Sequence, residues 1–246
     1  MNLLVCISKT PDTTSKISFD ASGTRLVEDG VQFIMNPYDE WYALVRALEL
    51  KEKFGGQVDV VHVGTSSSEM ILRKALAIGA DAAFRIDKEP LDSMDTATQL
   101  AAYAGPKNYD IIFLGKETID HNGSEMGALL AAMLNLPFLS YANHLELEGN
   151  TATLQVEIEG GVEVLKVNLP FILSAAKGLA EQRIPNMKGI MDAKKKPLEV
   201  ITPVSSVQKV IVSRFEQPPV KTSVRMIDPS NMDELVSILK NDLKII

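Results

Sequence analysis

The chain has 246 residues, which is enough for one large α/β domain or for one domain with an appended arm. Hydrophobic residues make up 46% and charged residues 23%, so a sizeable core can form without disulfides or a structural metal. The net charge of −7 argues against a nucleic-acid partner, because neutralising phosphates requires a basic surface.

The cysteine content and the hydropathy pattern indicate a reducing compartment. Cys6 is the single cysteine, so neither an internal disulfide nor a cysteine zinc site can form. No apolar stretch of the sequence reaches the ~20 residues that a membrane span requires. A strand-like run begins almost at Met1, which leaves no room for a targeting peptide. We therefore expect a cytoplasmic protein without membrane insertion.

The first 140 residues alternate strand-like and helix-like segments. Residues 3–7 are typical of a buried strand. A helix is predicted to open at Asn36-Pro37, because Asn can cap free amides and Pro lacks the amide that would be unpaired there, and to end at Gly55. Repeated βα units predict a mainly parallel sheet with helices on both faces. Further strands are predicted over 58–63, 82–86 and 110–114, and helices from a Ser66/Glu69 capping box to Gly79, over 95–104 and over 123–134.

From about Leu145 the pattern changes to short alternating segments. Residues 145–148, 153–159 and 162–167 alternate in hydrophobicity and are separated by Gly149-Asn150 and Gly160-Gly161. This pattern predicts an antiparallel meander with tight turns.

The last 70 residues are organised differently. Residues 175–197 have weak periodicity and are too polar for a core, and such long segments in compact proteins are usually functional. After Pro203 come short strand-like pieces and a capped helix over about 232–239. We expect residues 1–200 to form the α/β domain with its meander and recognition loop. Residues 201–246 are interpreted as an arm that packs on a partner, with a simple edge extension of the sheet as the alternative.

The sequence motifs of common enzymes are missing. The three histidines, His62, His121 and His144, have no metal-ligand spacing, so no metal site is expected. The sequence also lacks a nucleophile elbow, a dinucleotide fingerprint and a phosphate-binding Gly-Lys-Ser/Thr loop. These absences argue against a stand-alone catalyst.

One loop has the features of a nucleotide site. The buried strand that ends at Leu114 leads into residues 115–124 and then into a helix. Ligands bind at the carboxyl ends of strands in open parallel sheets, and a helix start offers unpaired amides to a phosphate. Gly123 and Ser124 permit close approach, whereas the carboxylate of Glu125 would compete with a phosphate. An ordinary capped loop is the alternative interpretation.

Several short stretches occur in an order that is typical of one protein family. The most specific, residues 190–197 (Ile-Met-Asp-Ala-Lys-Lys-Lys-Pro), is close to Ile-Met-Lys-Ala-Lys-Lys-Lys. The others are Ser8-Lys9-Thr10-Pro11-Asp12-Thr13, Met35-Asn36-Pro37, Ala75-Leu76-Ala77-Ile78-Gly79-Ala80-Asp81, Gly115-Lys116-Glu117-Thr118-Ile119-Asp120, and Gly160-Gly161 with Leu169-Pro170. Through them the chain resembles β (small) subunits of electron-transfer flavoproteins over nearly its whole length.

The resemblance implies an electron carrier that forms a heterodimer with an α subunit. In most members the β subunit binds AMP structurally, and the redox FAD lies mainly in the α subunit. By position, Thr13 would lie near the flavin edge. The residues implied to contact AMP are Cys6, Asn36, Gly64, Thr65, Asp120, Asn122, Gly123, Ser124, Glu125, Met126 and Gly127.

The resemblance also implies partner-binding residues. Glu157 matches an acidic position that interacts with the mobile flavin domain of the α subunit. Members carry a protruding loop before the lysine run, which inserts an apolar anchor into flavin dehydrogenases such as acyl-CoA dehydrogenases. Counting back from Ile190 puts Met187 at the anchor position, with Ile184 as the second choice. Methionine suits this role because it is apolar and flexible.

Two departures from the family motifs leave the identity of the bound nucleotide open. Ser8 stands where the family usually has lysine, and Glu125-Met126-Gly127 replaces a common Gln-Thr/Val-Gly run. AMP is the expected ligand, while a second FAD, as in electron-bifurcating relatives, is the alternative. A stand-alone ATP-binding or ATP-hydrolysing domain of the universal-stress type, and an assembly protein without a nucleotide, are the competing hypotheses.

Overall fold

The computed structural model describes residues 1–220 and 223–246. Its strands are β1 (Asn2–Cys6), β2 (Lys9–Pro11), β3 (Phe33–Met35), β4 (Gln57–Val63), β5 (Ala82–Ile86), β6 (Ile111–Gly115), β7 (Phe138–Glu148), β8 (Thr151–Ile158), β9 (Gly161–Asn168), β10 (Phe171–Ala175) and β11 (Leu198–Ile201). Its helices are α1 (Asp39–Phe54), α2 (Glu69–Ile78), α3 (Ser93–Ala104), α4 (Met126–Leu134), α5 (Met187–Ala193) and α6 (Met232–Ser237), with a 3₁₀ turn at Ser66–Ser68 and a π turn at Ile238–Asp242.

A nine-stranded sheet forms the centre of the fold. Its strand order is β11-β5-β4-β1-β6-β10-β7-β8-β9. Neighbouring strands from β11 to β7 pair in parallel, whereas β7, β8 and β9 form an antiparallel meander. The predicted fold class is therefore confirmed. A separate antiparallel pair, β2 and β3, was not predicted.

Helices cover both faces of the sheet. α1 and α2 bury residues such as Leu44 and Leu72 against the inward side chains of β1 and β4. On the opposite face, α3 and α4 bury Leu100 and Leu130 against a second cluster that includes Ile112. Strands with both faces covered consist of nearly continuous apolar runs, as β1 and β6 do.

The predicted start of α1 at Asn36-Pro37 is wrong, because the helix begins at Asp39. Tyr38 occupies the cap position with a positive φ of 65°, and it makes no side-chain capping bond. The Asn36 side chain instead binds a loop that is distant in sequence. The predicted end at Gly55 is confirmed.

Two further helix starts differ from the predictions. The capping box of Ser66 and Glu69 does not form, since the Ser66–Ser68 turn precedes α2 and the Glu69 carboxylate pairs with Arg85 at 3.2 Å. The fourth helix begins at Met126 rather than near Gly123, so residues 116–125 form a longer loop.

The C-terminal region contains more helix and less strand than predicted. Residues 175–197 include the short helix α5, and no strand follows Ile201 in the described part of the chain. The last helix ends at Ser237 and continues as the π turn. Met1–Ile17 and Val27–Ser213 form one compact unit, and Ser18–Leu26 with Arg214–Ile246 form another. The role of residues 201–246 as a partner-binding arm stays a prediction.

Candidate functional site

The site lies at the carboxyl ends of β1 and β6, where the chain connections reverse direction. β1 leads to α1 on one face of the sheet, and β6 leads to α4 on the other. In open α/β sheets this topological switch point leaves a crevice in which ligands bind. The strand ends at the crevice are Cys6 in β1 and Gly115 in β6, with Gly64-Thr65 following the adjacent β4.

Asn36 ties together the two loops that border the crevice. Its side chain is fully buried. Nδ2 donates to the carbonyl oxygen of Glu117 at 2.9 Å, and Oδ1 accepts from the amide of Ile119 at 3.1 Å. Its own amide donates to the carbonyl oxygen of Ser8 at 2.9 Å. Asn36 thereby holds the loop after β6 against the end of β1.

The predicted phosphate-binding loop is open to solvent. Asn122 and Ser124 have positive φ angles of 51° and 53°, a conformation that is uncommon outside glycine. A Cβ placed on Gly123 would meet only the Glu125 side chain, at 3.7 Å, so a ligand can approach the backbone closely. Glu125 occupies the N-cap position of α4 without making a side-chain capping bond, and the first turn contains no acidic residue. The first amides of α4 are therefore available to an anion, with the Glu125 carboxylate as a competing charge at the same helix start.

Not every glycine of the predicted site is needed for a ligand. A Cβ on Gly127 would lie 2.4 Å from the Phe138 ring, so Gly127 serves the packing of α4 on the sheet. A Cβ on Gly64 would lie 2.3 Å from His62 Nε2 and 2.7 Å from Ser68 Oγ. A glycine is thus needed at position 64 because a larger residue would collide with the His62 and Ser68 side chains.

Glu40 is a buried carboxyl group in the crevice that sequence analysis missed. Its oxygens accept from the Ser8 amide at 2.6 Å and from the Ser8 hydroxyl at 2.7 Å. Burial raises the pKa of Glu40 to about 8, and the nearby Asp120 and Asp39 carboxylates add to this shift. Burial also raises the pKa of the Cys6 thiol, so Cys6 is a core residue without a reactive thiolate. The acidic first turn of α1 was the only sequence signal for Glu40.

His62 is a second crevice residue without a predicted role. Its ring is buried, and Nδ1 lies 2.9 Å from the carbonyl oxygen of Ile7. Burial lowers the pKa of His62 to about 4. In the sequence, the only indication of a special role for His62 was that it interrupts the apolar residues of β4 with a polar side chain.

Two predicted residues lie apart from these crevice contacts. Thr13 is exposed in the turn that follows β2. Glu157 is exposed near the end of β8 and accepts a hydrogen bond from Asn143 Nδ2 at 3.2 Å. Neither forms a hydrogen bond with the crevice residues in the described chain.

The predicted anchor residues lie on an exposed segment that contacts α1. Ile184 and Met187 are 81% and 75% exposed. Arg183, directly before Ile184, connects this segment to α1. Its guanidinium group pairs with Glu52 at 2.6 Å. Its carbonyl oxygen accepts a hydrogen bond from Trp41 Nε1 at 3.2 Å. Met187 is the first residue of α5, which begins after a capping Asn at position 186. The two apolar side chains therefore project into solvent from a segment that these contacts hold against α1.

Metal and membrane sites were also sought in the described residues. They contain no group of three or more His, Cys, Asp and Glu side chains that could hold a metal ion. Among the helices of the same residues, none has the length and apolar character needed to cross a membrane.

The sheet with helices on both faces and a topological switch point defines a doubly wound α/β protein. Residues 23–206 match the model of the electron transfer flavoprotein domain. The chain is 36% identical to the electron transfer flavoprotein subunit beta of Bacillus subtilis, over 100% of both chains. It is 33% identical to the human subunit beta, covering 98% of this chain and 97% of the human one. The chain therefore belongs to the β subunits of the electron transfer flavoprotein family.

A third relative belongs to a larger assembly. The caffeyl-CoA reductase-Etf complex subunit CarD of Acetobacterium woodii is 30% identical, over 99% of this chain and 98% of its own. The family resemblance seen in the short sequence stretches is thus confirmed over the full chain.

Proposed function

We propose that this chain works with an electron-transfer flavoprotein α subunit as a cytoplasmic electron carrier. The heterodimer takes electrons from flavin dehydrogenases, such as acyl-CoA dehydrogenases, and passes them to an oxidoreductase or a respiratory chain. The observation that carries this proposal is the similarity to β subunits of bacteria and mammals from end to end. The chain acts as an electron-carrier subunit and not as a stand-alone catalyst.

The proposal places AMP in the crevice as a structural ligand. The amides at the start of α4 and the open backbone at Gly123 would hold the phosphate, while Asn36 keeps the loop in place. FAD, held mainly by the α subunit, supplies the redox chemistry, and AMP supplies none. Thr13 would lie near the flavin edge, and Glu157 would bind the flavin domain of the partner.

Release of bound nucleotides tests this assignment. The complex with the α subunit is denatured, and the released nucleotides are separated and quantified. We expect one AMP and one FAD per heterodimer, and almost no FAD with the β chain purified alone. Stoichiometric FAD on the isolated chain would contradict the simple carrier.

A second candidate function rests on the similarity to CarD, a subunit of a reductase-Etf complex. In this alternative the chain belongs to an electron-bifurcating assembly and holds a second FAD in the crevice. Two FAD and no AMP per heterodimer would favour it over the simple carrier.

The position of the phosphate is tested by Gly123→Leu. Because the side chain would occupy the open approach to the loop, we expect AMP content to fall severalfold. Loss of a ligand also lowers the melting temperature, since binding stabilises the native state by mass action. Gly161→Leu is the matched control, because it adds the same side chain in β9 at a position where a Cβ meets nothing within 4 Å. Equal AMP content in both variants would refute the placement.

A further inference from the structure

A cavity opens at the amino ends of β1, β4 and β6, which are parallel neighbours in the sheet. We call it the amino-end cavity, and its volume is about 220 Å³. The crevice lies at the carboxyl ends of the same strands, and the five residues of β1 separate the two places by roughly 17 Å. The residues that line the amino-end cavity are Asn2, Gln57, Asp59, Lys107, Asn108 and Tyr109.

Asp59 brings a buried carboxylate to this cavity. It is 7% exposed and shares a face of β4 with Val61 and Val63, which belong to the apolar cluster of α3 and α4. Its Oδ1 accepts from Gln57 Nε2 at 2.6 Å, and its Oδ2 accepts from the Tyr109 hydroxyl at 2.8 Å. Because both oxygens act as acceptors, the group is present as a carboxylate.

A pair of tyrosines fixes the direction of the second hydrogen bond. The hydroxyl oxygens of Tyr103 and Tyr109 lie 3.3 Å apart. Tyr109 has a single hydroxyl proton and gives it to Asp59, so Tyr103 is the donor to Tyr109. Burial raises the pKa of both tyrosines above the ordinary value, so both remain neutral at physiological pH. The hydrogen-bond donors of Asp59 are therefore uncharged.

Asp59 also lacks a cationic partner within the described residues. None of the ion pairs in that part of the chain includes it. Lys107 lines the same cavity, but its Nζ lies over the rings of Tyr103 and Phe84, 4.5 and 4.9 Å from their centroids. A buried charge is costly unless it is paired, so a cation that enters the cavity is stabilised by Asp59.

The lining of the cavity defines the class of molecule that fits. One carboxylate among side-chain amides is a poor cage for a metal ion, which needs several charged or oxygen ligands. The volume corresponds to about seven water molecules, the scale of a small organic molecule. Its cationic end would pair with Asp59, and the exposed Lys107 offers a charge for an anionic end. The amides of Asn2, Gln57 and Asn108 supply neutral donors and acceptors between them.

We propose that the amino-end cavity binds a free α-amino acid, whose ammonium group pairs with Asp59 and whose carboxylate group faces Lys107. The site is independent of the proposed function, because none of its lining residues belongs to the crevice. The bound amino acid stabilises the folded chain by mass action.

Thermal melting of the purified heterodimer identifies the ligand. The heterodimer is melted with each of the common L-amino acids in turn at millimolar concentration. We expect at least one of them to raise the melting temperature by about 2–4 °C at several times its Kd. The amine that lacks only the carboxylate of this amino acid is then compared with it by titration calorimetry, and it should bind several times more weakly.

Three variants locate the binding site by the same calorimetry. Asp59→Asn retains the shape and an acceptor but has no charge, so the affinity for the amino acid should fall at least about tenfold. Lys107→Met removes a charge at an exposed position, where folding is not at risk, and should weaken the binding to a smaller extent. Glu163→Gln, on the exposed strand β9, is the matched control and should bind as wild type does.

Four results would overturn the inference and leave the electron-carrier role untouched. The first is that no amino acid raises the melting temperature. The second is equal affinity in wild type and Asp59→Asn, which would place the amino acid elsewhere. The third is equal affinity for the amino acid and its amine, which would exclude the contact with Lys107. The fourth is that Lys107→Met destabilises wild type but not Asp59→Asn, which would make Lys107 the counter-charge of Asp59.

Discussion

Replacing Glu40 with glutamine removes a buried charge and retains an acceptor for Ser8. Glu40 is 4% exposed, and its two oxygens accept hydrogen bonds from the amide and the hydroxyl of Ser8. Within the described residues, no Lys, Arg or His forms an ion pair with it. The ionised form of Glu40 is therefore stabilised by the two hydrogen bonds from Ser8 but by no cationic side chain of the described residues.

The magnitude follows from the raised pKa. The ordinary value is 4.5, and burial raises the pKa of Glu40 to about 8 in the folded chain. Well below pH 4.5 the Glu40 carboxyl group is protonated in both the folded and the unfolded chain, so it does not reduce the free energy of unfolding. As the pH rises, the unfolded chain releases this proton first, so stability falls, and the loss is complete only above pH 8. At about 1.4 kcal/mol per pKa unit, wild type should lose about 3 kcal/mol more than Glu40→Gln between pH 5 and pH 8.

Urea unfolding at pH 5 and pH 8 measures this difference on the purified heterodimer. We expect similar midpoints for wild type and Glu40→Gln at pH 5 and a higher midpoint for the variant at pH 8. Glu163→Gln, at an exposed position of β9, is the matched control and should behave like wild type at both pH values. The reasoning would be refuted if the difference in urea midpoint between wild type and Glu40→Gln were the same at both pH values, or larger at pH 5.

Four other substitutions have defined outcomes. Asn36→Ala removes two hydrogen bonds to the loop after β6, so we expect a loss of about 2 kcal/mol in urea unfolding and lower AMP content. Gly127→Ala forces a Cβ to 2.4 Å from the Phe138 ring and should cost about 1–3 kcal/mol, with unchanged stability excluding the close packing. Met187→Ala and, in second place, Ile184→Ala should weaken dehydrogenase binding by about 1–3 kcal/mol without changing the melting temperature. The equally apolar, 62% exposed Met70 is the control position, and equal binding by all three variants would contradict the anchor.

Most of the fold could be predicted from the sequence because its signals are local. The apolar runs of β1, β4 and β6 are separated by amphipathic helices, and this alternation by itself predicts a parallel sheet. Gly149-Asn150 located the first turn of the meander for the same reason, since a tight turn is decided by the residues within it. The second turn lies one residue earlier than predicted, at Glu159-Gly160, because Gly161 already pairs with Ile158. The short family stretches identified the family, which the full-length similarity confirms.

The contacts of the crevice depended on the tertiary structure. Asn36 was expected to cap α1, but it binds Glu117 and Ile119, which are more than 80 positions away and adjacent only because β1 and β6 pair. The raised pKa of Glu40 and the lowered pKa of His62 likewise follow from burial, which only the folded chain produces. Local patterns determine secondary structure, because hydrogen bonds and side-chain periodicity span a few residues. Desolvation and the pairing of distant polar groups arise only when the sheet brings its strand ends together.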